Sequence, residues 1–310
     1  MDQSWRDPTA AWWAKLARAN THIQDIHSMF NNFDESNACE VCRESTDNPN
    51  EVAFRFKILR QVPVQLLTAI GDAVHNMRSA LDSVAYELAR QHLQDSMTDG
   101  QQKAVQFPIR STGNDLDEFF ARRDQRDLYG DQDKKAIRCV QPFALREEAA
   151  VLDVGFQTDS NIEFAIDELH RLHTLSIVDK HRRLPLLSWY LSINYWNDPE
   201  CGWRYAQHPN AEFKYQAIIG YLKGPGPMSP AAEATFVFKL SLIDDPVSSI
   251  GPGFREDFTS VLTRWHDYLR NWVIPRIFIV AEGNPPPDYD RWGITLLTSQ
   301  VLACSVGQYR

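Results

Sequence analysis

Nowhere in its 310 residues does the chain hold 18 uninterrupted apolar positions, so no membrane-spanning helix is expected. Its first residues, MDQSWRDPTA, lack the basic stretch and following apolar run of a secretory leader, and the expectation is an unexported protein. Cysteine is scarce: Cys39, Cys42, Cys139, Cys201 and Cys304 are odd in number and scattered, which excludes a secreted disulfide framework and suits the reducing cytoplasm. An excess of positive charge is missing too. With 32 Lys and Arg against 41 Asp and Glu, a net charge of −9 and a pI near 5.5, non-specific coating of nucleic acid or of an anionic membrane is excluded, and only a local basic patch stays open. The glycines of Gly224 and Gly226, and of Gly251 and Gly253, alternate with proline and lack the spacing of a phosphate-cradling loop; they read as turns. No internal repeat or low-complexity run occurs.

What is present is 43% hydrophobic residues, enough for a substantial core in one large or two ordinary domains. The chain is organised around residues 66–91. At about 100° per residue, Leu67, Ile70, Val74, Met77, Leu81, Val84, Ala85 and Leu88 form an apolar stripe, with Asp72, His75, Asn76, Ser79, Asp82, Ser83 and Tyr86 opposite. That polar face carries short hydrogen-bonding groups where a solvated helix would carry Lys and Glu. Before it, Trp12, Leu16, Ala19, Ile23, Ile26 and Phe30 predict a first helix over 9–30 that packs on the central one. A polar stretch rich in turn formers follows and holds Cys39 and Cys42, whose Cys-x-x-Cys lacks the second ligand pair of a structural zinc site. EVAFRFKIL at 51–59 alternates like a half-buried strand and Pro63 ends it. From 95 to 160 short pieces are expected: an extended FPIR at 107–110, helices near Asp115–Arg123 and Asp133–Val140, and a turn at Gln141–Phe143. Arg122, Arg123, Arg126, Lys134, Lys135 and Arg138 interleave there with Asp124, Asp127, Asp131 and Asp133, the pattern of a solvated mixed-charge surface.

Residues 161–184 predict a second long helix, on Ile162, Ala165, Ile166, Leu169 and Leu172, leading to His170, His173 and the run Asp179, Lys180, His181, Arg182. LPLLSWYLSINYW, AEFKYQAIIGYL and ATFVFKLSLI switch to a period of two and predict an antiparallel sheet of three or four strands. Phe258, Val261, Leu262, Trp265, Leu269 and Trp272 then place a last helix over 254–280, with Pro275 expected to kink or stop it. The fold class is therefore α+β: a bundle of long antiparallel helices with a small antiparallel sheet inserted before the last one. Its expected division is 1–183 for the motif helices, 184–250 for the β insertion, 251–282 for the closing helix and 283–310 for the tail.

The order of EVAFRFKIL, GDAVHNMRSALD at 71–82, FPI at 107–109, QPF at 141–143 and ELHRLHTLSIVDKHR at 168–182 resembles a family of uncharacterised bacterial proteins, frequent in actinobacteria, that share GDxxHNxRSALD and DKHR. The resemblance covers roughly 50–185 and brings no activity with it. Long helices bearing Asn, Arg and His are also distantly similar to the HEPN superfamily of helical bundles, often RNA-cleaving toxins or defence effectors. That superfamily's Arg and His, four to six residues apart on one helix, are not matched at Arg78 or Arg171.

Three readings result. In the leading one the motif is structural or serves partner binding: Asp72, His75, Arg78, Asp179 and Arg182 form a buried network that fixes how two helices meet, and the β region contacts a partner. In the second, the protein is a metal-independent HEPN-like endoribonuclease. His75 or His181 would act as acid or base, and Arg78, Lys180 or Arg182 would stabilise phosphate charge, with Asp179 beside them. In the third, Asp72, His75 and Asn76 hold a metal that His173 with His181 or Asp179 completes. Ser79 and Asp82 complete the set of binding candidates; no cofactor is assigned, and RNA, a protein or a second copy of the chain are the candidate partners.

Overall fold

The structure is a computed structural model, and it describes residues 7, 9–34, 38–48, 50–151, 168–177, 187–197, 204–207, 218–224, 233–242 and 258–285. Helices dominate, with two antiparallel sheets, so the chain is α+β. It divides into two compact units: Met1–Ile23, Ile70–Arg183 and Leu262–Arg310 form the first, and Gln24–Ala69 with Leu184–Val261 the second.

The first unit is helical. Most of α1 (Ala11–Asp34) and α2 (Val64–His92) follow the expected stripes: Trp12, Leu16, Ala19 and Ile23 on one, and Ile70, Val74, Met77, Leu81, Val84, Ala85 and Leu88 on the other, are all buried. Each buried Leu, Ile, Val or Met among them contributes about 1.5–3 kcal/mol relative to exposure. Ala73, Ala80 and Ala89 are buried as well, so the covered part of α2 is wider than its large apolar residues suggest. Gln94 and Asp95, with φ of 50° and 63°, turn the chain out of α2 in the left-handed region. Thr98 opens α3 (Asp99–Ala104) with a capping box to Gln101, and Thr112 caps α4 (Gly113–Ala121) by accepting the Asp115 N–H. Next come α5 (Asp131–Arg138), α6 (Pro142–Val151) and the helical stretch 168–177, which we label α7. The turn expected at Gln141–Phe143 is instead the start of α6, with Pro142 at the first helical position, where its missing N–H costs nothing.

The last helix runs as α8 (Phe258–Tyr268), a π-helical turn (Leu269–Val273) and α9 (Ile274–Ala281). Pro275 neither stops nor ends it. The Ile274 N–H reaches back to the Leu269 carbonyl, a widened turn that accommodates the proline ring immediately downstream.

In the second unit the strand order is β1-β2-β5-β4, from β1 (Cys39–Ser45), β2 (Glu51–Ile58), β5 (Ile218–Lys223) and β4 (Arg204–Gln207), all antiparallel, and β3 (Leu187–Asn197) pairs separately with β6 (Glu233–Leu242). The expected single late sheet is thus corrected: β2 and β5 join early and late segments. The polar stretch read as a loop contains β1, because Cys39, Val41 and Arg43 pair with Ile58, Phe56 and Phe54 of an adjacent strand that needs a partner.

Candidate functional site

The residues of the GDAVHNMRSALD motif part company on α2. Asp72 and His75 are exposed, and the Asn76 side chain donates back to the Asp72 carbonyl at 2.8 Å, a bond within its own helix turn. Arg78 faces inward and is 6% exposed. Its Nη2 donates to the Phe107 carbonyl at 2.5 Å, and its Nη1 lies 2.8 Å from Asp82 Oδ1. Asp82 in turn accepts the Phe107 N–H at 2.9 Å. One helical turn, Arg78 to Asp82, therefore satisfies both backbone groups of a single residue 25 positions or more away.

Phe107 belongs to the FPI segment, and the rest of that segment is held in the same manner. Phe107, Pro108 and Ile109 are buried without belonging to any sheet. An extended buried segment needs partners for its backbone, and here side chains supply them. Gln125 Nε2 donates to the Ala104 carbonyl at 2.8 Å and the Tyr129 hydroxyl to that of Gln106 at 3.3 Å. Gln141, fully buried, donates to the Pro108 carbonyl at 2.9 Å and to Ile137 at 3.1 Å, and accepts the Arg110 N–H at 2.9 Å. Pro108 itself has no N–H to satisfy. FPI, QPF and the RSALD end of the central motif thus form one assembly. Burial lowers the Arg78 pKa against the opposing pull of Asp82, and burial raises that of the Tyr129 phenol.

Next to this turn on α2, Lys15 of α1 donates to Ser83 Oγ at 2.7 Å and to the Ser79 carbonyl at 3.2 Å, while Ser83 Oγ donates to that same carbonyl at 3.1 Å. Ser79 takes part through its backbone. Burial lowers the pKa of Lys15 and nearby Asp82 opposes this. A second buried centre, absent from the sequence expectations, gathers on Glu168 of α7. Arg264 donates to its Oε1 from Nε at 3.0 Å and Nη2 at 2.8 Å, Trp265 Nε1 donates to Oε2, and Arg171 Nη1 stands 3.7 Å from Oε1. His173 is half-buried on α7. Asp179, Lys180, His181 and Arg182 lie outside the described residues.

Of the expected buried network of Asp72, His75, Arg78, Asp179 and Arg182, Asp72 and His75 are exposed and Arg78 is buried, while Asp179 and Arg182 lie outside the described residues. His75 stands one turn before Arg78, which works instead with Asp82 and the extended segment. Among the described residues, no group of three His, Cys, Asp or Glu is placed to hold a metal ion, and no helix is long and apolar enough to cross a membrane. Gln125, Tyr129 and Gln141 were missed by sequence reasoning. Gln141 and Phe107 did carry a signal, as members of the recurring QPF and FPI, but not one that revealed which backbone groups they join.

No family model, curated protein or solved structure matches the chain.

Proposed function

We propose that this chain is a non-catalytic protein that acts by binding a partner in a reducing compartment such as the cytoplasm, and that its polar motif serves architecture. The observation that carries this reading is the commitment of Arg78 and Asp82 to the Phe107 carbonyl and N–H, at 2.5 and 2.9 Å. A guanidinium so engaged and so buried is a poor stabiliser for phosphate charge arriving from solvent, because binding it would strip a buried carbonyl of its donor. His75 and Asp72 are exposed, and Asn76 between them and Arg78 is turned onto its own helix.

The test pairs stability with activity. Arg78→Ala and His75→Ala are compared with the parent by thermal melting and by incubation with a broad panel of RNAs in chelator. Arg78→Ala is expected to melt well below the parent, His75→Ala close to it, and no RNA to be cut by any of the three. Cleavage by the parent that disappears in His75→Ala at unchanged melting temperature would overturn the reading in favour of a HEPN-like ribonuclease.

A further inference from the structure

We propose that Arg110 and Arg122 form a binding site for a phosphate oxyanion. Both guanidiniums converge on the buried ring of Phe119, with their Cζ atoms 5.1 and 5.7 Å from its centroid. The two arginines flank α4, one ending the strapped segment before it and the other at its C-cap, so the helix between them places both like charges near the Phe119 ring. Their proximity is unfavourable by itself. The Arg110 pKa is lowered by partial burial first and by the charge of Arg122 second, with Asp115 opposing and Arg78 adding to the effect.

Several other cations of the first unit have a partner. Arg138 pairs with Asp117, Arg126 Nε lies 3.6 Å from Asp127 Oδ1, Lys134 sits over the Phe120 ring at 5.9 Å, and Arg78 has Asp82. Arg110 and Arg122 differ: among the described residues neither guanidinium has a carboxylate within ion-pair distance, and the one side-chain hydrogen bond between them runs from Arg110 Nη1 to the Ile109 carbonyl at 3.2 Å. Most of their N–H donors remain available, on side chains already positioned. Gln141 fixes the Arg110 backbone at 2.9 Å, and stacking on a fixed ring restrains both guanidiniums.

Two forks of N–H donors restrained in this way match a phosphate, whose several oxygens can accept from both and whose charge relieves their repulsion. The ring beneath them is buried and offers no face to a nucleobase, so recognition rests on the phosphate group. Its source is a phosphate monoester or the backbone of a single-stranded RNA. The site does not use the Arg78 guanidinium, and it stands apart from the reading of the motif above.

The experiment titrates inorganic phosphate into the full chain by calorimetry at constant ionic strength, chloride replacing phosphate in the control. Arg122→Gln, at an exposed position, is expected to keep the parent's circular dichroism and to weaken phosphate binding about tenfold or more, the worth of a charge-assisted contact. Arg110→Gln should do the same, whereas Arg123→Gln, an exposed neighbour, should change it less than about twofold. Displacement of phosphate by a short single-stranded RNA at low salt would identify a nucleic-acid source, and displacement by phenyl phosphate alone a small ligand. Binding no stronger than chloride's, or binding indifferent to Arg122→Gln in a folded protein, would overturn the proposal.

Discussion

At the scale of single residues, the consequence of spending Arg78 and Asp82 on one peptide unit is measurable. Arg78→Ala leaves a buried carbonyl without its donor and removes the cation paired with Asp82, so a loss of about 3–5 kcal/mol is expected in urea unfolding. Asp82→Asn retains an oxygen for the Phe107 N–H and should cost less, about 1–2 kcal/mol. The double variant should fall short of the sum of the two, because each single change already breaks the shared ion pair. Cysteine chemistry offers an independent check. Cys39 and Cys42 are three positions apart on β1, so they point to opposite faces with Cα atoms about 10 Å apart, beyond the reach of a disulfide or of one metal ion. Mild oxidation should therefore yield no Cys39–Cys42 bridge in mass spectrometry of the folded protein, and added zinc should not shift its melting.

At the scale of elements, the 105–110 segment acts like a strand whose neighbours are side chains. Two of its amides, Phe107 and Arg110, donate to Asp82 and Gln141. Both are expected to exchange with deuterium as slowly as amides of α2, despite lying outside any regular element. Gln141→Ala should speed exchange at Arg110 first, and a uniform acceleration across the first unit would show instead that the segment opens only by global unfolding. This element also marks where the sequence was legible. The helices α1, α2, α4 and α5 were readable because buried apolar side chains at helical spacing define them. The strap was not, because its partners Arg78, Asp82, Gln125, Tyr129 and Gln141 lie up to 33 residues away and carry no periodicity. β1 was hidden for a related reason: it has no alternating apolar face and none of its residues is buried, so only pairing with β2 makes it a strand. Of the two outcomes expected at Pro275, a kink or a stop, the stop does not occur, because a π-turn accommodates the proline.

For the whole molecule, stability is a sum over groups, and its pH dependence follows from those whose pKa differs between folded and unfolded chains. Glu87 accepts from Arg90 Nε at 2.9 Å, Arg90 Nη2 at 2.7 Å and Gln91 Nε2 at 2.7 Å, and the Arg90 hydrogen bonds hold its carboxyl below the ordinary glutamate value. A depressed acid stabilises the fold above its unfolded pKa, and this contribution disappears as pH falls through the folded value. Asp133 opposes it, since burial raises its carboxyl and the fold favours its protonated form. On the alkaline side Tyr129 dominates. Burial raises the phenol above its ordinary value of about 10, so unfolding releases its proton more readily and stability must decline once pH passes that value. Tyr129→Phe removes this titration at the cost of one long hydrogen bond, 3.3 Å to the Gln106 carbonyl. The variant should thus be about 1 kcal/mol less stable than the parent at neutral pH, and the gap should narrow as pH rises from about 10 to 11. Urea melts at the two ends of that range decide it: curves that stay parallel would mean that Tyr129 ionises freely in the folded chain and that the Gln106 strap opens before the rest.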